Sequence, residues 1–205
     1  MSLWYKFLYQ IGLTPWEINP TRDPAAMQIV NLFEREEKGQ KPPFGPALDL
    51  GCGSGIWSVE LASRGWQVTG IDVIAKAVRK AHQRAQATGV EVKFVHGDVT
   101  DLRTAGIVPG FQFFLDFECF NHLNKTQRMA VGRKVTAVAA PGATILMLVW
   151  APGQRWPFPP GASRSDIEKA FTGWCITHED KYAARSSLPS WLKNVDLRFF
   201  RLRRE

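Results

Sequence analysis

"PALDLGCGSG", residues 46–55, decides the fold. Five mostly apolar residues run straight into glycines at positions 51, 53 and 55. An apolar run of that length reads as a buried strand. The glycines let a ligand approach the turn backbone and lie on the N-terminus of the next helix. That helix follows at once: "IWSVELASRG" sets Val59, Leu61 and Ala62 at helical spacing and closes on Gly65.

The same alternation continues downstream. "WQVTGID" predicts a second strand, "IAKAVRKAHQRAQATG" a helix closed by Gly89, "VEVKFVHGD" a third strand and "FQFFLDF" a fourth. "KTQRMAVGRKVTAVAA" predicts a helix stopped by Pro141 and Gly142, and "ATILMLVW" a fifth strand. Strands alternating with helices of this length imply βαβ units and a parallel sheet covered on both faces. Beyond Trp150 come a Pro- and Trp-rich loop, a helix around "SDIEKAF", and strands near "WCITHEDKYAA" and "LRFFRLRR". With no long helix between them, these two predict an antiparallel edge on a seven-stranded α/β sheet. Upstream, residues 1–45 read as an appendage: a short helix, "TPWEINPTRDP", a second helix through "AAMQIVNLFEREEK", and the linker "GQKPPFGP". The expected organisation is an N-terminal helical lid segment, 1–45, on a single domain, 46–205.

The chain has 205 residues, 45% hydrophobic and 22% charged, enough for one well-buried domain. No stretch approaches a membrane span, and "MSLWYKFLYQIGL" reads as an amphipathic docking helix and not a signal peptide. The three cysteines, Cys52, Cys119 and Cys175, lack paired spacing, which argues against a disulfide framework or zinc site and fits a cytoplasmic protein. The net charge is +7, and all the excess lies in residues 103–205, which carry fifteen basic against eight acidic residues. A basic tail can engage nucleic acid or an acidic substrate. The reading preferred here is a solvated edge strand whose "LRFFRLRRE" charges discourage edge pairing, which leaves a homodimer compatible but not favoured along that strand.

Three features separate the glycine loop from a dinucleotide site. Its glycines are spaced Gly-x-Gly-x-Gly, and Ile56 stands where the dinucleotide fingerprint has its last small residue. Asp49 precedes the loop, where a carboxylate suits an ammonium and opposes a pyrophosphate. Two more acids end strands: Asp72 can accept from both hydroxyls of a ribose, and Asp98 in "HGD" from an adenine amino group. Ammonium, ribose and adenine across three strand ends describe S-adenosylmethionine.

With these motifs, residues 45–150 resemble the class I S-adenosylmethionine-dependent methyltransferases, a Rossmann-like fold. The resemblance implies a cofactor site formed by Asp49, Gly51, Gly53, Gly55, Asp72, Val73, Asp98, Val99 and Phe117. Upstream, "LYQIGLTPWEINP" is similar to a segment of small-molecule methyltransferases of the thiopurine- and tellurite-resistance type, where it folds over the cofactor. By that resemblance Trp16 and Glu17 would cover the methionine end, Trp16 offering a face to the sulfonium. The alternative is that Trp16 anchors the N-terminal helix.

"LDFECFNHL", residues 115–123, then falls at the end of the fourth strand, where open parallel sheets bind ligands. Asp116 and Glu118 alternate with Phe117 and are expected on one face. Methyl transfer is an in-line displacement that mainly needs alignment, and an alcohol acceptor also needs a proton acceptor. His122 is the expected base, with Asp116 or Glu118 fixing its tautomer; the competing reading has His122 capping the next helix. Cys119 is expected to be apolar filler. A magnesium ion on Asp116, Glu118 and His122 is a minority reading, since magnesium prefers oxygen ligands.

No Asn/Asp-Pro-Pro-aromatic run follows the fourth strand, so the chain resembles neither amino-methylating DNA enzymes nor their RNA relatives. Trp150, Arg155, Trp156, Phe158 and Trp191 would offer aromatic faces beside a hydrogen-bonding group to a sugar or an aromatic hydroxyl. At whole-chain level there is some similarity to actinobacterial methyltransferases, including mannoside O-methyltransferases. The expected acceptor is therefore a small-molecule hydroxyl, an oligosaccharide first. Thiol, phenol or quinol methylation, or a non-catalytic module binding nucleic acid, are the alternatives.

Overall fold

In the computed structural model, which describes residues 24–153, 159–182 and 196–205, the apolar run 46–50 is an interior strand of a seven-stranded sheet. The elements run α1 (Pro24–Glu37), β1 (Pro46–Leu50), α2 (Ile56–Arg64), β2 (Gln67–Asp72), α3 (Ala75–Thr88), β3 (Lys93–His96), β4 (Phe111–Phe117), α4 (Lys125–Val138), β5 (Ala139–Trp150), α5 (Arg164–Ala170), β6 (Trp174–Lys181) and β7 (Leu197–Arg204). Short 3-10 turns follow β3 at Val99–Asp101 and β4 at Phe120–His122. The strand order is β3-β2-β1-β4-β5-β7-β6. β1 to β5 pair in parallel, and β7 pairs antiparallel with both β5 and β6. The α/β class and antiparallel edge expected from the sequence are therefore present.

Period-two alternation sorts the core into two layers. Phe113 and Leu115 of β4, Leu146, Leu148 and Trp150 of β5, and Leu197 and Phe199 of β7 share a cluster with Ile29, Leu32 and Phe33 of α1. Their neighbours Phe114, Ile145, Met147, Val149, Phe200 and Leu202 pack with Val131, Val135 and Val138 of α4 and Ile167 of α5 on the opposite face. α1 is thus a wall of the core and no appendage. Its acids tie it down: Glu37 accepts from Arg64 Nε at 2.7 Å and Trp66 Nε1 at 3.1 Å, and Glu36 pairs with Arg201 of β7. The rest of the expected lid segment, residues 1–23 with Trp16 and Glu17, lies outside the described residues, as do Arg155, Trp156, Phe158 and Trp191.

Two expectations change. α4 ends at Val138, and Pro141 and Gly142 lie inside β5. The register jumps there, with Phe111 opposite Ala139 but Phe113 opposite Thr144, so the strand absorbs the turn residues as an irregularity. The basic C-terminal strand is not the edge; β6 is. On β7, Arg198 pairs with Glu179 and Asp196 and Arg201 with Glu36, so these arginines hold neighbouring elements together.

Close packing of α4 on α5 turns on Gly132. A Cβ there would stand 1.8 Å from the Ala170 carbonyl oxygen, which is backbone and cannot step aside. Gly132→Ala is expected to lower unfolding free energy by about 1–3 kcal/mol, despite the better helix propensity of alanine. Urea unfolding of the two proteins checks it; equal midpoints would show that the helices separate freely.

Candidate active site

The topology reverses at β1, whose neighbours β2 and β4 lie on either side, and loops leaving these strands meet at their carboxyl ends. The glycine loop is built for close approach. Gly51, Gly53 and Gly55 have φ of 72°, 54° and 75°, left-handed values that glycine adopts without steric cost. A Cβ on Gly51 would meet Cys119 Cβ and Sγ at 2.8 Å, so the loop after β4 rests directly on the loop after β1. Cys119 is filler, as expected, and burial beside carboxylates pushes its thiol pKa well up.

Each strand-end acid has a definite local role. Asp72 accepts from Gly53 N at 3.0 Å and Ile74 N at 2.7 Å, which ties the glycine loop to the end of β2. Burial raises its pKa. Asp49, 3% exposed, accepts from Ser58 Oγ of α2 at 2.5 Å; burial lifts its pKa to about 7, with Asp72 adding to the rise and Ser58 opposing it. Asp98 is exposed and accepts from both Thr100 N and Thr100 Oγ1 through one oxygen, Oδ1. Val73 and Val99 follow these acids; the Val73 carbonyl lies 3.1 Å from His96 Nε2. The structure thus gathers Asp49, Gly51, Gly53, Gly55, Asp72, Val73, Asp98 and Val99 along one edge of the sheet.

The run after β4 is rearranged relative to expectation. Asp116 points to the α4 face, is 0% exposed, and accepts from Phe120 N at 3.0 Å through Oδ1. Its other oxygen, Oδ2, is buried without a hydrogen-bond partner, and burial lifts the pKa to about 7. Phe117 points to the α1 face between Phe33, Trp57 and Phe199. Glu118 has φ 68°, which breaks the alternation, and its carboxyl bonds with Trp150, a member of the α1-side cluster. Asp116 and Glu118 therefore do not share a face. Burial raises the Glu118 pKa to about 7, opposed by Trp150.

His122 closes the 3-10 turn and is half-buried. Neither carboxylate supports it: Asp116 binds the turn backbone and Glu118 binds Trp150. Desolvation lowers its pKa to about 4, so the imidazole is neutral at neutral pH and a weak base. It does not cap α4 either; Asn124 does, in a capping box with Gln127. Among the described residues, no group of three or more His, Cys, Asp or Glu side chains is arranged to hold a metal ion.

Several site residues escaped the sequence reading. Ser58 is fully buried against Asp49, and its place on the inner face of the first turn after the loop was the available signal. Asn121 is fully buried and accepts from Trp150 N at 3.0 Å, tying the turn to the end of β5. Arg84 of α3 donates to Ser54 O at 3.0 Å and braces the glycine loop from outside; nothing local marked it.

The raised acids give the protein a pH signature. Asp49, Asp116 and Glu118 have folded pKa near 7 against ordinary values near 4, so the folded state holds more protons than the unfolded state between about pH 4 and 7. Their contribution favours folding below that window and fades as pH rises through 7. His122, lowered to about 4, acts oppositely between about pH 4 and 6.5. From pH 6.5 to 8 the carboxyls act unopposed by His122, so the ligand-free midpoint temperature is expected to fall over that range. Asp49→Asn should raise the midpoint at pH 8 and flatten the fall. Calorimetric scans check both, and an unchanged slope in Asp49→Asn would place the proton elsewhere.

Residues 47–142 match the family described as "Methyltransferase domain". Over 77 residues, 38% of this chain and 23% of the relative, the sequence is 42% identical to the ribosomal RNA small subunit methyltransferase C of Alcanivorax borkumensis. Over 132 residues, 63% of this chain and 50% of the relative, it is 33% identical to the ubiquinone biosynthesis O-methyltransferase of Chromobacterium violaceum. The chain spans half or less of the length of these curated relatives. A solved structure of magnesium protoporphyrin IX methyltransferase (ChlM) from Synechocystis PCC 6803 with bound SAM superposes with TM-score 0.70 at 19% identity, covering 97% of this chain and 94% of that one, a likeness of fold. The glycine loop and the strands β2, β3 and β4 thus lie within a segment, residues 47–142, that matches a methyltransferase domain.

Proposed function

We propose that this chain binds S-adenosylmethionine and methylates a small-molecule hydroxyl. The observation that carries the reading is the left-handed glycine loop tied by Gly53 N to Asp72 and followed on β1's other side by the Cys119 contact. These residues suit the cofactor. Asp49 meets an ammonium, Asp72 a ribose diol and Asp98 an adenine amino group, with Val73 and Val99 beside the adenosine. The bound cofactor would supply a methyl group on a positively charged sulfur. Burial around Asp49, Asp116 and Glu118 provides the dry surroundings in which opposite charges attract strongly.

Three points support a hydroxyl on a small molecule. The Chromobacterium relative is named an O-methyltransferase. Half-buried Trp57 and Phe117, packed edge to face near the loop, make its α1 side apolar, which suits a small organic acceptor. Of the four arginines of β7, Arg198 and Arg201 pair with acids of this chain and Arg204 donates to the Ala139 carbonyl, which breaks up a continuous basic track. The ribosomal RNA relative shares only 77 residues, too few to carry its acceptor across. Carbohydrate is the first acceptor to test and a phenol or quinol the second. His122, neutral and half-buried, is assigned to hydrogen bonding with the acceptor.

S-adenosylhomocysteine release, read by mass spectrometry with methyl mannosides, glucosides, quinols and thiols, with and without EDTA, tests this reading. Turnover is expected on a hydroxyl and to survive EDTA; turnover on thiols alone would sink it. Asp72→Asn is expected to weaken S-adenosylmethionine binding about 10- to 100-fold in calorimetry, the scale of a lost hydrogen bond to a charged group.

A further inference from the structure

Glu118 occupies a backbone conformation that calls for glycine. Among the described residues it alone combines a side chain with positive φ, at 68°. Left-handed backbone is unfavourable for a side-chain-bearing residue, most tolerably for Asn or Asp, and glutamate is not among the residues that visit it routinely. The side chain adds a second cost, because its carboxyl is held in surroundings that disfavour the charge. A residue that costs stability on two counts is expected where its side chain is needed.

Its place fits a use. Glu118 directly follows β4, its N–H donates to Leu148 O of β5 at 3.0 Å, and the next residue, Cys119, rests on Gly51. The backbone at Glu118 therefore stands at the carboxyl ends of β4 and β5, one residue from the contact with the glycine loop, and its carboxyl bonds with Trp150 at the end of β5. Of the three acids whose pKa lies near 7, Asp49 is bonded to Ser58 beneath the loop and Asp116 is sealed under Phe120 on the α4 side. Glu118 alone of the three keeps partial exposure, with its carboxyl on Trp150.

We propose that Glu118 is the catalytic base that takes the acceptor's hydroxyl proton, and that its unfavourable backbone is kept for that role. This rests on the hydroxyl reading above. The O–H bond breaks with its proton going to a Glu118 oxygen. The freed pair on oxygen forms the new bond to the methyl carbon of S-adenosylmethionine, whose carbon–sulfur pair leaves with sulfur. One positive and one negative charge enter, and a neutral ether, a neutral thioether centre and a protonated Glu118 result. The role also names an acceptor class: a hydroxyl that is not ionised at neutral pH. A thiol, with a pKa near ~8.5, needs such help far less.

Three variants, Glu118→Gln, Glu118→Gly and Glu118→Ala, test it by stability and by turnover. Glu118→Gly is expected to raise the midpoint temperature of the ligand-free protein by about 2–4 °C, and Glu118→Ala, which keeps the backbone strain, to fall below Glu118→Gly. All three should bind S-adenosylmethionine within about twofold of wild type by calorimetry, while methylation of hydroquinone and methyl α-mannoside falls by about 10²- to 10⁴-fold in Glu118→Gln. A less stable Glu118→Gly would assign the side chain to the fold and overturn the proposal. Undiminished hydroxyl turnover by Glu118→Gln would overturn it too, leaving the hydroxyl reading intact. Wild type that methylates thiols and neither hydroxyl would remove that reading, and this role with it.

Discussion

Asp72 accepts the backbone N–H of Gly53 and of Ile74, and most of the site depends on that pair of bonds. They join the loop after β1 to the end of β2 across two neighbouring strands, so neither loop moves without the other. Arg84 braces the same loop through Ser54, and Cys119 closes on it from the β4 side. A loop held from three directions presents its backbone in one shape, which lowers the ordering cost of binding.

The held loop is surrounded by carboxyls that burial makes reluctant to ionise. Asp49, Asp72, Asp116 and Glu118 all carry raised pKa values for that reason. A ligand that brings positive charge to Asp49 would relieve this disfavour there, so its affinity and part of the ligand-free instability would arise from one carboxyl. The core around it is correspondingly firm, with α1 stapled by Glu36 and Glu37 and α4 seated on α5 at Gly132.

Much of this was legible in residue order. The spacing of "PALDLGCGSG" and the alternation after it carried the parallel sheet, the helix caps at Gly65 and Gly89, and the acids at strand ends. Those features are local: a strand is a run, a cap is a residue, and a strand-end acid is one step from a turn. The end of α4 was misread because Pro141 and Gly142 usually stop a helix, and here β4 pairing absorbs them into a strand irregularity. The tail was taken for an edge because its arginines look solvated, whereas their partners, Glu36 and Glu179, lie 165 and 19 positions away.

The sequence by itself determined the fold class, the cofactor's expected seat and the residues present after β4, since periodicity and glycine placement act over a few residues. Which way those residues face was decided only by tertiary structure. One left-handed residue, Glu118, turns the chain so that two acids spaced for one face stand on opposite sides of the sheet. The lowered His122 and the raised carboxyls have the same origin, because desolvation is set by what distant elements pack against a group, and no short stretch of sequence contains that information.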